Sequence, residues 1–133
     1  VNLIGKTVDA PGNNFELGEG ETETLSFSLA EEAADVTINV FDSTGANVAT
    51  LSIGASSAGV KEFVWSGKDA TGAPLPAGTY TFGVTAENSS GNFIETETFA
   101  AGLVTDIIFE GADAFAIVNG QKVNVNQISK VSL

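Results

Sequence analysis

Apolar and polar positions alternate with a period of two through much of this chain. Leu25, Phe27 and Leu29 are separated by serines, Val36, Ile38 and Val40 by Thr37 and Asn39, and Tyr80, Phe82, Val84 and Ala86 line one face of a run that starts at Thr79. Successive strand side chains point to opposite faces, so each run predicts a half-buried antiparallel strand. The apolar runs 48–53, 61–65 and 94–99 bring the set to six or seven short strands. One kind of punctuation recurs between them. Asp42-Ser43-Thr44-Gly45, Asp69-Ala70-Thr71-Gly72 and Asn88-Ser89-Ser90-Gly91 each place an Asx residue first and a glycine fourth, which suits a type I turn. Short strands with regularly spaced turn signals predict a β-sandwich. Helical periodicity is absent, and Glu31-Glu32-Ala33-Ala34 is too short to stand as an isolated helix.

The most informative stretch is the corner from Phe63 to Tyr80. Phe63 and Trp65 share one face of a strand end, Gly67 and Asp69 lead into the turn that closes at Gly72, and Pro76-Ala77-Gly78 supplies a second reversal before Tyr80 opens the next strand. The last third changes character. Runs 103–109, 114–118 and 121–125 predict three more strands, with Asn119-Gly120 as a hairpin turn of type I′ between the last two and Ile128 and Val131 in a short apolar tail. Three strands and a tail cannot close a core alone. The nearest donor of a further strand is Leu3-Ile4-Gly5-Lys6-Thr7-Val8, set off by the turn-forming run Asp9 to Asn14. The expectation is an all-β chain in two parts: a small barrel built from both chain ends (1–14 and 100–133), with a sandwich (15–99) inserted between them.

These elements together resemble the flagellar hook-capping, or hook assembly scaffold, family. The resemblance rests on Leu3, Ile4, Gly5 and Lys6 at the start, on the corner carrying Phe63, Trp65, Gly67, Asp69, Gly72, Pro76, Gly78 and Tyr80, and on Asn119 and Gly120 ahead of Val123, Ile128 and Val131. It spans nearly the whole chain. Ser66 stands where the family commonly shows Asp, and a serine still supports a local side-chain-to-backbone bond. The resemblance implies an immunoglobulin-like insert of fibronectin type III kind within a tudor-like barrel. It also implies a structural role: a homo-oligomeric cap at the extracellular tip of the growing hook, partnered by itself and by hook protein. Export through the flagellar path needs no cleaved signal peptide. Sandwich features alone leave a second class open, an immunoglobulin-like carbohydrate-binding or adhesin module of a secreted protein, because fold does not fix function.

Composition narrows the chemistry. The 133 residues are 43% apolar, enough for a substantial core burying roughly two-thirds of the unfolded surface. Seventeen acidic residues against five lysines and no arginine give a net charge of −12, which opposes binding to nucleic acid or to an anionic membrane. Glu16, Glu19, Glu21 and Glu23 form the densest acidic run. It reads as a solvated loop and edge strand that resists sheet-to-sheet pairing, with a docking site for a basic partner as the alternative. Cysteine is absent, so neither a disulfide framework nor thiolate chemistry is expected. No signal peptide or apolar membrane span stands out. A chain that starts at Val1 without any methionine is expected to be part of a longer product whose N-terminal region precedes it.

Catalytic candidates are few. Without histidine or cysteine the common triads, thiol nucleophiles and most zinc sites fall away, and no motif sets a serine beside Lys6, Lys61, Lys68, Lys122 or Lys130. Paired carboxylates for glycoside hydrolysis are not fixed by any spacing, since Asp42 and Asp69 are accounted for by turns. No calcium-loop motif occurs, and no enzyme activity, metal or cofactor is expected. An aromatic cage would need clustered rings. Trp65, Tyr80, Phe109 and Phe115 are instead expected to be core residues. Asn88-Ser89-Ser90 matches a glycosylation sequon, but the turn accounts for it.

Overall fold

A computed structural model of the chain describes residues 2–118, 120–128 and 130–132. Its architecture is all-β, with two antiparallel sheets. The strands are β1 (Thr7–Pro11), β2 (Asn14–Leu17), β3 (Glu23–Leu29), β4 (Asp35–Phe41), β5 (Asn47–Ser52), β6 (Gly59–Trp65), β7 (Gly78–Glu87), β8 (Thr96–Glu110), β9 (Asp113–Val118), β10 (Gln121–Asn124) and β11 (Lys130–Ser132), with one 3₁₀ turn at Val125–Gln127. The chain divides into two compact units, Asn13–Thr98 on one side and Val1–Gly12 with Phe99–Leu133 on the other.

In the first unit one sheet runs in the order β2-β7-β4-β5, and β3 pairs with β6 and β8 in the other. The period-two pattern explains the packing. Leu25, Phe27 and Leu29 from β3 face Val36, Ile38 and Val40 from β4 and Tyr80, Phe82 and Ala86 from β7, and together they form the core with Trp65 and Leu17. The intervening serines and threonines lie on the outer faces. Residues 31–34 form no helix, and Ala33 makes an isolated bridge to Ser56.

The second unit orders its strands β10-β9-β8-β1-β11 around its own core of Val8, Ala10, Val104, Ala116, Val118 and Val123. Two sequence expectations are corrected here. Leu3 to Lys6 is a turn: Gly5 takes φ 85°, Lys6 N–H donates to Leu3 O at 3.0 Å, and the strand begins only at Thr7. It therefore runs through Asp9-Ala10-Pro11, residues read above as turn formers, because Val8 and Ala10 have a core to enter and Pro11 sits at the strand end, where a missing N–H is tolerated. Only Gly12 and Asn13 then separate β1 from β2. The runs 94–99 and 103–109 likewise prove to be one strand, preceded by Ile94. Ala100, Ala101 and Gly102 stay extended because β1 pairs across them, Thr7 with Leu103 through to Pro11 with Phe99. A register irregularity between Val104 and Asp106 then shifts the alternation of β8 by one residue. The β9–β10 hairpin has Val118 opposite Gln121 and Gly120 at φ 78°, while Asn119 lies outside the described residues.

Candidate functional site

The corner from Phe63 to Tyr80 is organised around a ring the sequence reading did not single out. Phe15, on β2, meets Trp65 edge-on with centroids 6.0 Å apart, stacks on Tyr80 at 6.1 Å and tilts against Phe82 at 6.1 Å. Its signal was the apolar Phe15 and Leu17 astride Glu16. Phe63 is half-buried against the same core, while Val64 points outward, 63% exposed. The Tyr80 hydroxyl donates to Pro76 O at 2.6 Å, tying the start of β7 back to the reversal before it. Burial and then the Asp42 charge push the Tyr80 phenol above its ordinary pKa. Gly78 opens β7 opposite Leu17. Gly67 takes φ 74° with Glu21 O only 2.3 Å from where a Cβ would stand, so no side chain fits there. The Trp65 indole N–H is buried with no acceptor among the described residues.

The three Asx-to-Gly turns are one five-residue device used three times. In each, the first residue's N–H donates to the carbonyl four residues on, and the glycine N–H donates back to the first carbonyl: 3.0 and 3.0 Å for Asp42, 2.9 and 3.0 Å for Asp69, 2.9 and 3.0 Å for Asn88. The side-chain oxygen accepts from the N–H groups two and four residues on, at 2.9 to 3.1 Å throughout. Thr44 and Thr71 add hydroxyl bonds of 2.6 Å to Asp42 and Asp69. Those hydroxyl bonds first, and the backbone bonds with them, hold both carboxyls below the usual range. Their charge is committed to shaping loops.

The acidic run lies along edge strand β2, the following turn and the start of β3. Glu16 accepts from Thr79 at 2.5 Å, and partial burial followed by repulsion from Glu21 raises the Glu23 pKa. Among the described residues no three metal-ligating side chains converge.

In the second unit, Leu3 packs on the core, Gly5 N–H donates to Val104 O at 2.8 Å, and Lys6 O accepts from Val104 N–H at 2.9 Å. The Leu3-to-Lys6 turn is thereby fastened to β8, with Ile4 47% exposed. Beside it lies an apolar groove of about 380 Å³. Two expectations fail here: Phe109, anticipated in the core, is 77% exposed, and Phe115, anticipated there too, lies outside the core cluster, on the strand face opposite Ala116. By register Phe109 pairs with Ala114, two positions from the core pair Ile107 and Ala116, so it belongs to the inward face at a point that no described residue covers. Phe115 is half-buried with Lys122 Nζ 4.7 Å above its ring. The exposed apolar residues of the first unit are Val60, Val64 and Phe93.

Comparison with known proteins gives a consistent set. A family model described as the FlgD Ig-like domain matches residues 12–91. The basal-body rod modification protein FlgD of Salmonella typhimurium is 38% identical over 95 residues, spanning 66% of this chain and 41% of that protein. Its Escherichia coli counterpart is 35% identical over 114 residues, spanning 80% and 49%. The chain thus spans half or less of the length of these curated relatives. Among solved structures, FlgD from P. aeruginosa superposes with a TM-score of 0.81 at 23% identity, covering 99% of both chains. FlgD from Xanthomonas campestris, described in connection with hook capping essential for flagellar assembly, gives 0.71 at 24% identity over 98% of this chain and 94% of that one. Both likenesses show the fold.

Proposed function

The chain belongs to the FlgD family, and from that premise we propose that it is the ordered, assembly-directing part of a flagellar hook cap. Its work is steric: it stands at the extracellular tip of the growing hook and holds open a space in which hook subunits polymerise. Several copies make up the cap, and hook protein is the partner beneath it. The protein reaches that site through the flagellar export path without a cleaved signal peptide. No bond is made or broken.

The observation that carries this reading is the family match over the sandwich, together with a fold likeness to FlgD that extends over both units. Two features agree with it. The carboxylates with lowered pKa are consumed by their own turns, and the large exposed apolar side chains lie on outer surfaces. We read the five-stranded unit as the tudor-like barrel and the sandwich as its fibronectin type III-like insert; the separate cores support that reading. The residues of the Phe63–Tyr80 corner act structurally, fixing the sandwich.

Electron microscopy of a deletion strain tests the proposal. Loss of the full-length gene abolishes hook elongation and motility, and a plasmid copy restores both. Normal hooks in the deletion strain overturn it, and specific glycan binding by the chain would then favour the binding-module class.

A further inference from the structure

At the end of the sandwich where β7 begins, a pocket of about 250 Å³ opens between the Asp42 loop and the Pro76 reversal. Val48, Leu75 and Pro76 give it apolar walls, and Asp42 and Tyr80 give it polar groups. Phe41 pairs with Thr81 across β4 and β7, so the antiparallel register brings Asp42 alongside Tyr80. Two details of their bonding matter. Among the described residues the three side-chain bonds that Asp42 accepts, from Thr44 N–H, Thr44 Oγ1 and Ala46 N–H, all end on Oδ1, and Oδ2 takes none of them. The charge that shapes the loop is also felt outside it, since it helps to raise the Tyr80 phenol. The Tyr80 hydroxyl gives its proton to Pro76 O at 2.6 Å, so toward anything in the pocket its oxygen can only accept.

We propose that this pocket receives the lysine side chain of a partner protein, with its methylenes against Val48, Leu75 and Pro76 and its ammonium between Asp42 Oδ2 and Tyr80 Oη. Lysine suits the site better than arginine. A guanidinium gains most from a carboxylate that takes two parallel bonds, whereas Asp42 has one oxygen to offer and an ammonium is a point charge with separately aimed donors.

That the partner is basic follows from charge. Residues 13–98 carry thirteen carboxylates and two lysines. Gly67 approaches Leu17 and Glu21, Leu17 pairs with Gly78 and Glu23 with Trp65, so Glu16, Glu19, Glu21, Glu23 and Asp69 belong to the pocket's end of the sandwich, against Lys68. Such a field draws in a cationic segment and repels an acidic one, a second copy of this chain included. The other two Asx loops provide internal controls. Asn88 builds the same loop with the same backbone bonds, so Asp42→Asn keeps the turn while removing the charge. Asp69 carries the same charge in the same device and does not line this pocket.

The inference goes beyond the cap reading and is measurable without it. An isotope-labelled sample of the 133-residue chain is titrated with N-acetyl-lysine amide and followed by its amide chemical shifts. Saturable shifts centred on Ser43, Val48, Ala77, Gly78 and Tyr80 are expected, with a Kd of about 1–10 mM, the range that ligand efficiency sets for so small a ligand. N-acetyl-norleucine amide, which keeps the stem and lacks the ammonium, binds at least tenfold more weakly, and N-acetyl-arginine amide at least threefold more weakly. Asp42→Asn weakens lysine binding at least tenfold with the rest of the spectrum unchanged, Asp69→Asn leaves it within twofold, and raising salt from about 0.02 to about 0.5 M weakens it. The norleucine comparison, made on the parent chain, tests the charge should the Asp42 variant misfold. Shifts that never saturate, that spread over the whole acidic surface, or that survive Asp42→Asn overturn the inference. So does a norleucine amide that binds as well as lysine, or cadaverine binding tenfold tighter than the capped residue, which would make the ligand a free amine. The same shifts in the unmixed chain on raising its own concentration also overturn it, because a lysine of a second copy would then fill the pocket. Hook formation separates the two ideas. Normal hooks in the deletion strain remove the cap reading and leave the titration standing, whereas a failed titration removes the lysine site and leaves the cap.

Discussion

Replacing Trp65 by alanine is the sharpest test of the packing argument. The side chain is 2% exposed at the end of β6, with Phe15 edge-on to it and the buried Leu17 and Tyr80 in the same cluster. A buried tryptophan removes roughly 200 Å² from water, which at about 25 cal/mol per Å² is about 5 kcal/mol as an upper bound. Alanine retains part of that area and the walls relax into part of the cavity, so the expected loss is about 3–5 kcal/mol. Against a total stability of about 5–15 kcal/mol this removes a large share of the sandwich's margin. The indole N–H has no acceptor among the described residues, so Trp65→Phe forfeits volume but no hydrogen bond shown there and relieves a buried donor. It should cost less than half as much. Trp65 is the only tryptophan, so the substitution removes the natural fluorophore. Urea unfolding must therefore be followed by far-ultraviolet circular dichroism in all three proteins, with the slope checked for constancy. A loss under 1 kcal/mol for alanine, or a phenylalanine variant as weak as the alanine one, refutes the reasoning.

Two further substitutions probe separate parts of the same unit. Gly67→Ala sets a methyl 2.3 Å from the Glu21 carbonyl at positive φ, whereas Gly72→Ala at φ 86° meets nothing within 4 Å; urea midpoints should put the second loss at about 1–2 kcal/mol, the left-handed backbone cost alone, and the first well beyond it. Equal losses would remove the clash argument. The Glu23 pKa is raised in the folded state, so the folded chain binds that proton more tightly than the unfolded one, and the associated stability is present at low pH and lost as pH rises through the folded value. Glu23→Gln should therefore raise the urea midpoint at pH 7 and leave it nearly unchanged at pH 3.5, where the parent carboxyl is protonated. A neutral-pH midpoint that falls or stays put contradicts the burial account.

What could be read from the sequence was whatever local chemistry decides. Asx first and glycine fourth closes a loop through bonds among five consecutive residues, so Asp42, Asp69 and Asn88 announce their turns without help from the rest of the fold. Alternation in β3, β4 and β7 likewise needs only a core to face. The misreadings all involve a distant partner. Asp9-Ala10-Pro11 has the composition of a turn, and it is extended because Phe99 to Ala101 lies alongside. Ala100 to Gly102 has the composition of a break, and β1 holds it straight. Leu3 to Lys6 looks like a strand until Gly5 turns it back onto Val104. Phe109 follows an inward alternation correctly and is exposed all the same, because alternation gives a side chain's direction and cannot tell where the covering layer ends.

The repeated loop device has a bearing on how such a molecule associates. Residue pairs spaced alike, Phe41 with Asn47, Lys68 with Pro74 and Glu87 with Phe93, bracket the three loops. Within each bracket the Asx side chain occupies backbone N–H groups that would otherwise seek water or sample other turns. The loops are therefore locked by their own residues, without needing a neighbouring sheet to cover them. Binding ordinarily costs about 0.5–1.5 kcal/mol for each flexible side chain that must be immobilised, with ordering of mobile loops on top. Loops already fixed in the free chain contribute little to that second cost. For the proposed cap, which would act by shape, this matters: its contacts could be individually weak, because little of their free energy would be consumed in ordering the surface that makes them.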